Sequence, residues 1–322
     1  MPAPIVEILV FAHAPFAKYL RECLCSLLAQ TYSPLDISIL GDGSKEIESV
    51  ATEFKGEGSV TLLCERDLLE KSPAAKCRRP FLQAANVRMK ESAAIYVGTW
   101  NSDDVYNPNH VKWLVDALEK HPGTGVAFDN VEYRDDWGEN EFDFLHEVRE
   151  SANLMISEER AKLLEPTEVS IRDLFVENLL TGPSSLIRRS VLDRVGGYDK
   201  DIVLNCDLHW FYRIAAYFPV RFVNHTGVRK RIHPANTTAI DSHHVFGVSD
   251  LENLRECYPE VCERIGKNVF NKKLGRKYFR LGLYYERRGE VGKAREMYKK
   301  AMLLRKFSLR YHWEYVRSSV LC

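Results

Sequence analysis

Short continuous apolar runs alternate with stretches of helical period over the first 130 residues. Ile5–Phe11, Leu35–Leu40 and Val60–Cys64 are apolar stretches that predict strands, and the run Ala93–Trp100 predicts a buried one. Between the first two, Leu20, Cys23, Leu24, Leu27 and Leu28 recur at helical spacing and predict a helix over Phe16–Gln30. Further helices are predicted over Lys45–Phe54, after the turn Gly41-Asp42-Gly43-Ser44, and over Phe81–Glu91. Residues 65–80 read as a polar, basic connection with Lys76, Arg78 and Arg79. This β-α-β-α-β-α-β order is the signature of a parallel sheet wrapped by helices.

Later elements follow the same logic. A helix over 110–120, a short strand over Gly125–Asn130, a helix over Ser170–Leu180 and a strand over Ser184–Arg188 are expected. A helix from Ser190 stops at Gly196-Gly197, an aromatic helix spans Leu208–Phe218, and Val220–Asn224 and Gly227–Ile232 read as two strands. The charged stretch 131–165 carries no clear period. The fold class expected is α/β, with a main domain over 1–250 and an α-helical tail over 251–322.

The chemistry concentrates at Asn101-Ser102-Asp103-Asp104, directly after a buried strand and before a helix starting near His110. Carboxylates at the carboxyl end of a strand in an α/β sheet lie where such sheets bind ligands. Two of them suit a hard divalent cation, which in turn holds a diphosphate. A single Asp here would be accounted for by helix capping alone.

Composition narrows the classes. With 45 basic and 45 acidic residues the chain has no net charge, which argues against general nucleic-acid binding. Eight scattered cysteines form no C-x-x-C pair, so reduced thiols of a cytoplasmic protein are expected. No apolar run reaches the ~20 residues needed to cross a bilayer, so any membrane association is expected to be peripheral, at the inner face. The N-terminal Met-Pro-Ala-Pro-Ile-Val-Glu has no basic stretch followed by an apolar one, so no signal peptide is expected. In the tail, Tyr278, Leu281, Gly282, Tyr285, Gly289, Ala294, Tyr298 and Ala301 stand at the offsets of one tetratricopeptide repeat, over about 276–309, with Lys306 where its closing proline is usual. One repeat cannot bury its own core, so it must pack on the main domain, on a partner or on another copy.

Taken in order, Ala12-His13, Leu28-Ala29-Gln30-Thr31-Tyr32, Gly41-Asp42-Gly43-Ser44, Asn86, Ser102-Asp103-Asp104, Gly196-Gly197-Tyr198-Asp199, Cys206-Asp207 and His233-x-x-Asn236 resemble the landmarks of an inverting family 2 glycosyltransferase with a GT-A fold. The resemblance covers roughly residues 4–240. It implies a nucleoside diphosphate sugar as donor, most commonly a UDP-sugar, and a glycan, lipid-linked or protein-linked hydroxyl as acceptor, as in polysaccharide biosynthesis. By the same resemblance Ala12 and His13 lie beside the base, Asp42 accepts a hydrogen bond from it, and Arg79 adds charge at the diphosphate. Asp103 holds the ribose or the metal, Asp104 ligates Mn2+ or Mg2+, and His233 completes the metal site or touches the diphosphate. Asp207 is the base implied for inversion, with Arg213 six residues on fixing the register; Asp201 is a second candidate. Gly41 and Cys206 stand where many relatives carry acids. A glycosyltransferase-like scaffold acting through its tail is therefore the alternative, while a nucleotidyltransferase would need a glycine-rich phosphate loop that His13-Ala14-Pro15-Phe16 does not supply.

Overall fold

The computed structural model describes residues 2–70, 79–135, 154–165, 168–233, 236, 243–306 and 308–320. Lys76, Arg78 and most of the unassigned stretch 131–165 lie outside them. The first half is built from β1 (Val6–Ala12), α1 (Ala17–Leu28), β2 (Leu35–Gly41), α2 (Lys45–Glu53), β3 (Ser59–Cys64), α3 (Glu65–Glu70), α4 (Pro80–Glu91), β4 (Tyr96–Asn101), β5 (Val105–Tyr106) and α5 (His110–Lys120). Then come β6 (Val126–Asp135), α6 (Glu158–Leu164), β7 (Glu168–Val169), α7 (Ile171–Glu177), β8 (Ser185–Arg188), α8 (Val191–Val195), α9 (Cys206–Ala215) and β9 (Val220–Ile232). Five helices close the chain: α10 (His243–Cys257), α11 (Pro259–Ile265), α12 (Lys267–Arg287), α13 (Val291–Leu304) and α14 (Leu309–Val320).

The nine strands form one mixed sheet in the order β3-β2-β1-β4-β8-β6-β9-β5, with β7 beside β9. β1, β2, β3 and β4 are mutually parallel, and β6 runs parallel to β9; β8 is antiparallel to both its neighbours. Side-chain alternation along β1 sends Val6, Ile8 and Val10 to one face and Leu9 to the other, all fully buried. The first face packs against α1, α2 and α5 through Leu20, Leu24, Ile47 and Leu114. The other packs against α4 and α9, and its apolar cluster continues without a break into Leu254, Phe270, Leu274 and Tyr298 of the C-terminal helices. The tail therefore closes the same core as the sheet.

Two sequence expectations change. Residues 65–80 contain the helix α3, in which Leu68 is buried and Leu69 partly buried, two adjacent positions that leave no helical stripe to read. The strands expected at Val220–Asn224 and Gly227–Ile232 are one continuous strand. Its pairing with β6 jumps from Asp129↔Val223 to Asn130↔Thr226, so Asn224 and His225 bulge out where the apolar alternation breaks. Gly227 follows the bulge because a Cβ there would lie 1.9 Å from Asp129 Oδ2 and 2.0 Å from His110 Nδ1, and those two atoms are themselves paired at 2.7 Å.

In the tail, α12 and α13 form an antiparallel hairpin: Gly275 meets Leu304 and Arg305, while Gly282 meets Tyr298. A Cβ on Gly282 would sit 2.5 Å from the Tyr298 ring, which is fully buried and tied through its hydroxyl to Glu286 at 2.6 Å. The ring cannot swing aside, so Gly282→Ala is expected to destabilise the protein by about 1–3 kcal/mol, read from urea unfolding.

Candidate active site at the carboxyl ends of β1 and β4

β2 and β3 extend the sheet to one side of β1, and β4 lies on the other, so a crevice opens where the strand order reverses. The ends of β1 and β4 place Ala12-His13 and Asp103-Asp104 at that crevice. Asp42 ends the neighbouring β2. Its Oδ2 accepts the Ala14 N–H at 2.9 Å and its Oδ1 accepts from Ser44 N and Oγ at 3.0 and 2.5 Å. Burial pushes the Asp42 carboxyl up, but these hydrogen bonds outweigh it and hold it below the usual range. Asp42 shapes the turn and remains exposed, with lone pairs free for a ligand. His13 pairs with Glu65 at 3.0 Å and meets the edge of Phe81. Arg79 precedes α4, lies over Phe81, and is close enough for its charge to act on the Cys206 thiol.

Asp103 and Asp104 are 8 % and 1 % exposed. Asp103 Oδ2 accepts from His233 Nε2 at 3.0 Å and from Asn236 Nδ2 at 3.3 Å. Asp104 Oδ1 accepts the Arg231 N–H at 3.1 Å, and its Oδ2 accepts from Asn101 Nδ2 at 3.2 Å. Burial raises Asp104 to about 6, with the Asp103 charge adding to it. Asp103 is held below its ordinary value, because the His233 hydrogen bond and the Lys230 charge outweigh burial. Among the described residues no group of three His, Cys, Asp or Glu is arranged to hold a metal ion. His233 lies between Phe16 and Tyr19 and faces Asp103, so the donor set present is two buried carboxylates with a histidine behind one of them. Two desolvated carboxylates of this kind fit a dication whose remaining ligands come from phosphate oxygens.

Asp207 lies in the first turn of α9, and Asn205 takes the capping position instead. Its Oδ1 accepts Leu208 N–H at 2.8 Å and its Oδ2 accepts Gly182 N–H at 3.3 Å. Burial nevertheless keeps its pKa above the usual carboxylate value. Cys206 beside it is buried, with its thiol pushed up to about 12 by burial and then by the Asp207 charge. Asp201 is exposed and paired to Lys200 at 3.1 Å.

Lys230 is the residue that sequence reasoning missed. Its Nζ lies 3.8 Å from Asp104 Oδ2, its side chain is 21 % exposed, and its charge acts on Asp103, Asp104 and Asp207 alike. Those acids, Asp104 foremost, outweigh burial and hold the ammonium firmly protonated. The signal was available: Val228 and Ile232 are buried, so a cation midway between them in a strand also faces inward.

The remaining landmarks are structural. Asn86 accepts the Tyr198 N–H at 2.7 Å and donates to Tyr198 O at 2.9 Å, clamping the Gly196-Gly197-Tyr198 turn. A Cβ on Gly197 would overlap Asn86 Oδ1 at 2.0 Å. Arg213 reaches the same turn, donating to Val195 O at 2.9 Å and to Gly197 O. Trp100 and Trp210 are fully buried, each N–H bonded to a backbone carbonyl, so they are core.

The sequence model of the family described as glycosyl transferase family 2 matches residues 8–196, more than half of the chain. The chain belongs to that family. Among its relatives is an uncharacterised glycosyltransferase of Rickettsia prowazekii (strain Madrid E), 25 % identical over 237 residues, which are 73 % of this chain and 66 % of the relative. Another, from Rickettsia felis, is 24 % identical over 245 residues, 75 % of this chain and 36 % of the relative. The chain thus spans from just under two thirds to about a third of the length of these relatives. By structure it is similar to Staphylococcus aureus TarS 1-349 in complex with UDP-GlcNAc, with TM-score 0.64, 10 % identity, and 97 % and 88 % of the two chains covered. It is also similar to the mannosyltransferase PcManGT of Pyrobaculum calidifontis in complex with GDP-Man and Mn2+, with TM-score 0.53, 15 % identity, and 99 % and 85 % covered. At these identities the likeness is one of fold: a GT-A-like mixed sheet flanked by helices, with helices appended at the C-terminus.

Proposed function

We propose that this family 2 chain transfers a hexosyl group from a nucleoside diphosphate sugar to a hydroxyl of a glycan, lipid-linked or protein-linked acceptor, with inversion. The observation that carries the reading is the buried pair Asp103 and Asp104 at the carboxyl end of β4, with Lys230 Nζ 3.8 Å from Asp104 and its charge felt also at Asp103 and Asp207. Asp207 takes the proton from the acceptor hydroxyl as that oxygen attacks the anomeric carbon. Gly182 N–H and Leu208 N–H hold its carboxylate in place. Asp103 and Asp104 would hold Mn2+ or Mg2+, which when bound neutralises the diphosphate as it leaves. His233 and Asn236 orient Asp103, and Lys230 adds a resident positive charge beside the same subsite. His13, Asp42 and Ala12 border the space for the base, with Arg79 nearer the diphosphate.

A uridine donor is favoured, in line with the UDP-GlcNAc bound to the S. aureus fold neighbour; dTDP- and GDP-sugars are the alternatives. We read residues 1–250 as the transferase domain and the α12–α13 hairpin as tetratricopeptide-like, available for a protein partner or self-association. Among the described residues no helix is long and apolar enough to cross a membrane. The test is calorimetric titration of UDP, dTDP and GDP with and without Mn2+, on the parent chain and on Asp104→Ala. One nucleotide is expected to bind in a Mn2+-dependent manner and to lose about tenfold or more in the variant. Absence of binding by every nucleotide would favour the scaffold reading.

A further inference from the structure

The zero net charge hides a division along the chain. Residues 267–322 hold sixteen Lys or Arg against four Asp or Glu, a net +12, so residues 1–266 carry the opposite −12. Part of this excess forms an exposed row on α12, Lys272, Arg276 and Arg280, spaced one helical turn apart. Lys306 and Arg310 lie at the junction of α13 and α14, and Lys272, Leu303 and Lys306 line one cleft with Asn268, Asn271 and Ser308. None of Lys272, Arg276, Arg280, Lys306 and Arg310 has a carboxylate partner among the described residues.

The same end of the molecule exposes apolar side chains. Leu309, Trp313 and Val316 are 87 %, 65 % and 56 % exposed, and Leu303 is 55 % exposed. They are four of the nine large apolar side chains exposed among the described residues, gathered within fourteen positions while the other five are scattered from Ile5 to Val176. Positions 309, 313 and 316 share one face of α14, whose opposite side is anchored by buried Tyr311 and Ser318. An apolar helix face bearing a tryptophan, flanked by cations that have no carboxylate partner among the described residues, is the arrangement of an interfacial membrane helix.

We propose that the α13–α14 end of the tail is a docking surface for an anionic lipid bilayer. The cations are drawn by the negative surface potential, which acts within about a Debye length, and the exposed Leu, Trp and Val side chains then enter the headgroup boundary. Both parts are needed, because single weak signals give only marginal, reversible attachment. A nucleic acid or other polyanion would use the cations but gain nothing from Leu309 and Val316. A helical partner would cover the apolar face but call for no net +12. The −12 remainder is repelled by the same surface, so the molecule docks tail first. This inference is independent of nucleotide binding and of sugar transfer.

The test is co-sedimentation of the full chain with vesicles of phosphatidylcholine alone or with a quarter phosphatidylglycerol, at 0.1 and 0.5 M salt. Binding is expected to the anionic vesicles only and to fall about tenfold or more at the higher salt. Two variants should each lose about tenfold or more: Leu309→Ser with Trp313→Ser and Val316→Ser, and Lys272→Glu with Lys306→Glu and Arg310→Glu. In the unaltered chain, brominated lipid should quench tryptophan emission, a readout that needs no variant. The proposal is overturned by no binding to anionic vesicles, by undiminished binding of the apolar variant, or by absence of quenching. Binding of a duplex oligonucleotide as tight as the vesicles, kept by the apolar variant, also overturns it and marks a polyanion surface.

Discussion

Asp207→Asn is expected to lower kcat for sugar transfer by about 10²–10⁴-fold while leaving nucleotide affinity within about twofold of the parent. The amide keeps the shape and its one oxygen can still accept from Leu208 or Gly182, though not from both, and it cannot take a proton from the acceptor hydroxyl. Steady-state kinetics with calorimetry separates the two effects, since a role limited to starting α9 would move stability rather than kcat. The pH profile adds a sign. A base must be ionised to act, and burial raises Asp207 above the ordinary carboxylate value. The acid limb of kcat/KM should therefore fall at higher pH than an exposed Asp would give, and that limb should vanish in Asp207→Asn. An acid limb at the ordinary carboxylate value would place the base elsewhere.

Lys230→Met should have the second large effect. It leaves Asp103 and Asp104 buried without their compensating charge, and breaking a buried pair from one side costs about 3 kcal/mol or more. Urea unfolding in chelator should show that loss. Mn2+ should restore a larger share of stability in the variant than it adds to the parent, because a dication would take over the compensation. Nucleotide affinity should fall in parallel, and the residual affinity should depend more steeply on Mn2+. A variant equally stable with and without Mn2+, and binding nucleotide as the parent does, would reduce Lys230 to a packing residue.

The alternation of apolar blocks made the β1-to-β4 half legible: β1 and β4, buried on both faces, leave dense apolar runs, while the edge strand β3 was readable from its short apolar stretch alone. The start of α5 at His110 and the stop of α8 at Gly196 were likewise readable from their punctuation. The placing of the acid pair at the crevice was legible for a related reason: both residues directly follow the carboxyl end of a buried strand. What escaped reading had no local signature. The bulge at Asn224 and His225 interrupts alternation without ending β9, so one strand looked like two. Lys230 acquires its meaning only from Asp103 and Asp104, far away in sequence and adjacent across the sheet. The charge division between tail and body vanished in the sum for the whole chain.

The helix that carries Asp207 is closed from behind by residues that follow it in the chain. Asp250 of α10 accepts the N–H groups of Val203 and Asn205 just ahead of α9, at 3.4 and 3.1 Å. Lys273 of α12 donates to Asn178, at 2.8 Å, and Asn178 in turn accepts from Tyr212 of α9 at 3.0 Å. On a ribosome these braces arrive late: some 70 residues separate Asp207 from Lys273, about 3–14 s at ordinary elongation rates. In the later part of that interval, after Ile232, the acid pair and its sheet are synthesised, while the helix that carries Asp207 still lacks its backing. The bracing of the helix that carries Asp207 is thus completed only once the helices after it have been made.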